Sequence, residues 1–242
     1  MQISIIRIVV FVSIFTAFIS PLYSQSYVSL DSSNTSFARS LFLKASSTQS
    51  RLNNGREYNP HNPIIKEHPF FESKAWVEGN IVYDAASFKN VMMLYDLAKD
   101  EVIVLNFLLP DKLSLVSQKV QQFDIHGHRF IYLKTDSLNK ANSGGFYDLL
   151  YSNTTTVLVK RKKEVKVSNN TSLGASFNQV NQYFLMKGGI LYPVKSLASV
   201  LKVFKNKRAE LQLYLRKNAI IFRDNPEKSI VNMTSHYDQL SK

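Results

Sequence analysis

From Trp76 to Phe107 the apolar and polar residues alternate as an extended backbone requires. Val77, Gly79, Ile81 and Tyr83 fall on one face and Glu78 and Asn80 on the other, the period-two pattern of a half-buried strand. The next two runs, Val91–Tyr95 and Val102–Leu105, are apolar at successive positions, so both of their faces are expected to be covered. The segments between these runs, 84–87 and 97–100, are short enough for hairpins, which predicts an antiparallel meander rather than crossover units.

The same period continues downstream. Leu113–Ile125 and Arg129–Leu133 predict a hairpin closed at His126-Gly127, Asn139–Gly145 a loop, and Phe146–Tyr151 and Thr155–Val167 two further strands. A polar loop over Ser168–Ser176 precedes a hairpin in which Tyr183–Met186 and Ile190–Val194 flank Gly188-Gly189. Upstream, Gly55, Pro60, Pro63 and Pro69 break up Leu52–Phe71. Three prolines exclude a regular helix there and predict an extended arm held down by Tyr58, Ile64, Phe70 and Phe71.

The period then changes. Leu197, Val200, Leu201 and Phe204 stand at i, i+3, i+4 and i+7, and Leu211, Tyr214 and Leu215 continue the stripe. Arg208 falls into that stripe if the helix is unbroken, so either the helix restarts near Asn206 or Arg208 snorkels; the break is preferred. A last helix is signposted by Asn225 as cap, Pro226 in the first turn and Glu227 at the positive helix end, with Ile230, Met233, Thr234 and Tyr237 as its buried stripe. The expected fold class is α+β: a curved antiparallel sheet of seven or more strands, half-barrel-like at its most curved, over about 76–194, followed by two or three C-terminal helices.

Organisation and compartment follow from the first residues and from one absence. Arg7, the apolar run Ile8–Ile19, then Pro21 and small residues at Ser24 and Ser26 predict a cleaved signal peptide over 1–24. The run has 12 residues, against roughly 20 needed to span a bilayer, so no transmembrane span is expected after cleavage. Residues 25–51, rich in Ser, Thr and Asn, predict a tether, and 52–242 a single domain. The chain has no cysteine, which excludes disulfides, thiol catalysis, Cys-based zinc sites and lipoprotein acylation. An exported chain without disulfides fits the periplasm or outer-membrane surface of a Gram-negative bacterium.

Charge is unevenly placed. The formal net charge is +12, and residues 151–242 carry 16 Lys+Arg against 5 Asp+Glu, whereas residues 25–150 balance. The candidate binding face is therefore basic and C-terminal: Lys160, Arg161, Lys162, Lys163, Lys166, Lys202, Lys205, Lys207, Arg216 and Lys217. Anionic lipid headgroups, anionic glycans or an acidic envelope protein are the expected partners; no nucleic acid is expected of an exported chain lacking an aromatic ladder among its lysines. The bland reading is that the Lys160–Lys163 run is a solvated strand end.

Tyr-Asp occurs four times, at 83/84, 95/96, 147/148 and 237/238. The favoured reading ends a strand with Tyr and opens a turn with Asp; the functional reading would gather Asp84, Asp96 and Asp148 at one sheet edge. His126 and His128 read as turn residues rather than metal ligands, and His236 as the wet side of a helix; no metal or cofactor is expected. No nucleophile elbow, P-loop or dinucleotide fingerprint is present, so enzymatic activity has no motif behind it and no catalytic residue is assigned. The alternatives kept are a carrier with an apolar pocket between sheet and helices, and a hydrolase.

Asn54-Gly55-Arg56-Glu57-Tyr58, His68-Pro69-Phe70-Phe71, Gly79–Asp84, Leu94-Tyr95-Asp96, Gly145–Tyr151 and the basic tail, in that order, resemble a family of exported, cysteine-free bacterial envelope proteins of unknown function. The resemblance implies one domain behind a short leader and brings no catalytic residues. The chain departs from that pattern at Glu67 and Ala85, where the family tends to have glycine, which puts the turn geometry there in question.

Overall fold

A computed structural model describes residues 51–105, 111–135, 143–167 and 174–241. The expected signal peptide, nearly all of the expected tether, and most of the polar loop at 168–176 lie outside the described residues. Those that are described fall within one unit of mutual contacts, Ala45–Lys242.

Eleven strands form one antiparallel sheet: β1 (Arg56–Glu57), β2 (Val77–Tyr83), β3 (Ala86–Asp96), β4 (Glu101–Leu105), β5 (Lys112–Ser114), β6 (Val120–Ile125), β7 (His128–Leu133), β8 (Gly145–Ser152), β9 (Thr155–Val167), β10 (Ala175–Lys187) and β11 (Ile190–Val194). Their spatial order is β1-β5-β4-β3-β2-β6-β7-β8-β9-β10-β11, and the sheet is curved but unclosed. Three helices follow, α1 (Leu197–Val203), α2 (Arg208–Lys217) and α3 (Pro226–Leu240). The expected α+β class is what the chain adopts. Eleven strands satisfy the expected seven or more; β1 is not among the expected runs, β5 and β6 divide the run expected over Leu113–Ile125, and β10 starts at Ala175, inside the segment expected to be loop.

The turns show how the sequence sets register. At β2–β3, β6–β7 and β10–β11 the two turn residues both have positive φ: Asp84 (51°) and Ala85 (60°), His126 (51°) and Gly127 (76°), Gly188 (56°) and Gly189 (77°). Two positive φ values match the right-handed twist of a tight hairpin. Ala85 occupies such a position without glycine's freedom, and Glu67 does so too (φ 67°). These are the two places where the resemblance expects glycine. Gly79 has a different reason: a Cβ there would run into the carbonyl of Asp124 where β2 and β6 meet beside a bulge.

The sheet buries apolar residues on both faces. On one face Met93, Tyr95, Val102, Val104, Phe123, Phe130 and Phe146 form the main core. Phe123 and Phe130 stack at 5.0 Å, with Tyr95 edge-on to Phe130 at 4.9 Å, so aromatic rings fill the curl. On the other face Leu94 and Ile103 are covered by Tyr58, Phe70 and Trp76, which explains why β3 and β4 are apolar at successive positions. The proline-rich arm is therefore the second cover of these strands. Ile64, expected to help hold it, is 77% exposed; the arm is held by Tyr58, Phe70 and Phe71.

At the other end of the sheet Val157, Leu185 and Val194 pack beneath the helices with Val200, Leu201, Phe204, Leu211, Ile230, Met233 and Tyr237. The helix does break as expected: α1 stops at Val203, a short 3-10 turn covers Lys205–Lys207, and α2 begins at Arg208, which is exposed. Asn225 caps α3 by accepting from the Lys228 N–H, and Pro226 is its first residue. His236 is half-buried, its ring stacking on the half-buried Tyr214 at 4.1 Å.

Candidate functional site: a cationic helical layer fastened by buried ion pairs

The site begins with an aspartate on the wrong side of a strand. Asp148 lies two residues after the buried Phe146 in β8, so it shares Phe146's inward face and is 1% exposed. Its Oδ2 accepts from Arg161 Nε (2.7 Å) and from His128 Nδ1 (2.8 Å), and Arg161 Nη2 also lies 2.6 Å away. Arg161, in β9 and 6% exposed, reaches on to Glu227 Oε1 at 3.2 Å in the first turn of α3. Burial alone lowers the Arg161 pKa, but Glu227 and Asp148 outweigh it and leave the guanidinium's pKa raised. Buried charges persist only when paired, and this chain of pairs ties the helical layer to the sheet.

His128 also faces the arm. Its Nε2 lies 3.7 Å from Glu72 Oε1, and His126 Nδ1 lies 3.7 Å from Glu72 Oε2, with Phe71 edge-on to both rings. His126 is the first of the two β6–β7 turn residues, as expected, whereas His128 opens β7. A cleft of about 530 Å³ opens beside Asp148 and His128, with Arg129, Tyr151 and Ser152 in its wall. Asp148 and His128 have the geometry of an orienting carboxylate and a base, but among the described residues the imidazole's other polar neighbour is Glu72, not a hydroxyl nucleophile.

A second clasp holds the start of the arm. Asp96, fully buried, accepts from Tyr58 Oη (2.8 Å) through Oδ2, which also contacts His61 Nε2 at 2.7 Å; its Oδ1 accepts from the Ala98 and Lys99 N–H groups. It therefore opens a turn as expected and anchors the arm as well. Asp238 accepts from Tyr151 Oη and the Thr155 N–H, pinning α3 to the β8–β9 turn. Of the four Tyr-Asp aspartates only Asp84 is exposed in a hairpin turn. Asp148 corrects the turn reading outright, because it sits mid-strand.

The ten basic residues divide. Lys160 is 2% exposed and donates to Asp100 Oδ2 (2.6 Å) and to the Gly144 carbonyl (3.0 Å); a Cβ on Gly145 would collide with this pair. Burial lowers the Lys160 pKa, with Asp100 acting against it. Lys163 is half-buried and donates to the carbonyls of His68 and Phe70, both at 2.8 Å, and burial lowers its pKa also. With Arg161, these residues are removed from any binding face: β9 enters the interior at Thr155 and stays there through Arg161. Lys162 is half-buried, Lys166 is exposed on the outer half of β9, and Lys207 pairs with Glu210 at 3.3 Å. Lys202, Lys205, Arg216 and Lys217 are exposed on the helical layer.

That layer is where exposed cations gather. Between Lys195 and Lys228 there are nine Lys and Arg against Glu210, Asp224 and Glu227, and Glu227 is turned inward to Arg161. Leu213 (61% exposed) shares one face of α2 with Arg216 and Lys217 at i+3 and i+4, and Ile221 (61% exposed) follows in the next connection. Arg216 also borders a groove of about 550 Å³ with Leu197, Leu215 and Ile220.

The inward Asp148–Arg161 pair was missed by sequence reasoning, though a signal existed. Asp148 has the parity of Phe146, and Lys160-Arg161 follow Val157–Val159 without a polar break. No helix among the described residues is long and apolar enough to cross a membrane. No family model, curated protein or solved structure matches this chain.

Proposed function

We propose that the protein is a non-catalytic, exported bacterial envelope protein that docks on an anionic lipid surface through its helical layer. The observation that carries this reading is the α2 face on which exposed Leu213 stands beside Arg216 and Lys217, with Ile221 close in sequence. Apolar side chains among cations suit a headgroup boundary, where both terms add. An anionic glycan or an acidic protein surface would reward the cations but not the two aliphatic residues. Export rests on the sequence features of residues 1–24 and on the family resemblance.

Each cation near an anionic membrane is worth about 1 kcal/mol, so R216S/K217S should weaken binding by about 2 kcal/mol, roughly 30-fold. Sedimentation with vesicles of phosphatidylglycerol and phosphatidylcholine tests it. The expected result is retention that falls with salt, falls in R216S/K217S and in L213S/I221S, and is absent on phosphatidylcholine alone. Equal retention on both vesicle types, or no retention at low salt, overturns the reading.

A further inference from the structure

Strand β10 pairs with β9 along its whole length but with β11 only from Tyr183 to Lys187. Its other edge is taken at Phe177, whose N–H donates to the Lys66 carbonyl, and at Ala175, whose carbonyl accepts from the Lys66 N–H. Between these partners lies a gap over Asn178–Gln182. Strand alternation turns the N–H and C=O of Gln179 and Asn181 toward that gap, the same side on which Phe177 meets Lys66 and Tyr183 meets β11. Among the described residues no backbone group pairs with them there; the Asn178 side chain approaches the Gln179 carbonyl at 3.5 Å.

A second, independent feature coincides with the gap. A cleft of about 540 Å³ is lined by Val180, Gln182 and Phe184 from one face of β10, by Tyr183 from the other, and by Phe222 and Pro226 of the helical layer. Lining from both faces places the cleft along the strand's edge. Lys195 also lines it, and Lys66 stands at the far end of the gap. On β9, Lys162 is paired with Val180 and Lys166 with Ser176, against the single carboxylate of Glu164 beside Asn178.

We propose that the open edge of β10 binds an extended peptide segment bearing carboxylate side chains by strand addition. The four outward backbone groups of Gln179 and Asn181 supply the ladder, and the cleft beside Phe222 accepts alternate side chains. The cations at both ends select acidic over basic segments. The chain already uses this edge in the same way at Lys66 and in β11. This site is separate from the Leu213 face and does not depend on lipid binding.

The probes are two blocked seven-residue peptides, one alternating valine with glutamate and one alternating valine with lysine, and a backbone N-methylated copy of the first. Hydrogen exchange and titration with the full chain are the readouts. The acidic peptide should slow exchange at the Gln179 and Asn181 amides, bind at least tenfold more tightly than the basic and N-methylated peptides, and weaken several-fold in K195E and in F222A. Equal binding of the N-methylated peptide, absence of binding, or protection elsewhere overturns the proposal. Concentration-dependent protection of these two amides without peptide would overturn it also, by assigning the edge to a second copy of the chain.

Discussion

Replacing Arg161 by Met is the sharpest probe of the interior network. It removes the guanidinium and leaves Asp148, 1% exposed, with His128 as its remaining partner; Oδ1 of Asp148 is buried with no hydrogen-bond partner among the described residues. Breaking a buried pair by removing one member costs about 3–5 kcal/mol, since the other charge is left uncompensated. For a domain of this size each kcal/mol shifts Tm by about 2–4 °C, so R161M should melt roughly 6–20 °C below the parent. E227Q should lose far less, about 1 kcal/mol or below, because Glu227 is 31% exposed and water replaces its partner. In D148N/R161M the penalties should fall short of their sum, since neither change then strands a charge. Thermal and urea unfolding followed by circular dichroism give these values. A loss under about 1 kcal/mol in R161M, or equal losses in R161M and E227Q, would refute the reasoning.

Three further outcomes follow from local geometry. A85G should raise stability by about 0.5–1 kcal/mol in urea unfolding, because relief of about 1–2 kcal/mol at a left-handed position outweighs glycine's extra unfolded-state entropy; no gain would mean that Ala85 is not strained. The Tyr58 pKa is raised above 10.0, first by burial and then by Asp96, so its contribution is complete below pH 10 and is lost as pH climbs beyond it. Y58F should accordingly flatten the alkaline fall in stability, and an unchanged alkaline limb would contradict this. N225A should cost about 1 kcal/mol through the lost α3 cap, read by the same denaturant titration.

Much of the scaffold was legible in the sequence because its signals are local. The hairpins at Asp84, His126 and Gly188 sit between period-two runs, the break before Arg208 keeps a cation out of the apolar stripe, and Asn225-Pro226 announces α3. The short strands β1 and β5 escaped because a two- or three-residue strand has no period of its own; β1 exists only because β5 lies beside it. The basic face was legible only in part. Composition counts Lys160 and Arg161 with the other cations, but whether a cation is solvated depends on a carboxylate distant in sequence, Asp100 for one and Asp148 and Glu227 for the other. The same limit hid the double role of Asp96, whose arm partners Tyr58 and His61 lie more than thirty residues upstream.

The most direct test of lipid docking uses the absence of cysteine, which makes any introduced thiol unique. An environment-sensitive fluorophore is attached to L213C on the helical layer and, separately, to S87C in the β2–β3 hairpin. On adding phosphatidylglycerol vesicles at low salt, the label at 213 should shift to the blue and the label at 87 should not, with the shift reversed by salt. An unshifted label at 213, or a matching shift at 87, would contradict docking through the helical layer.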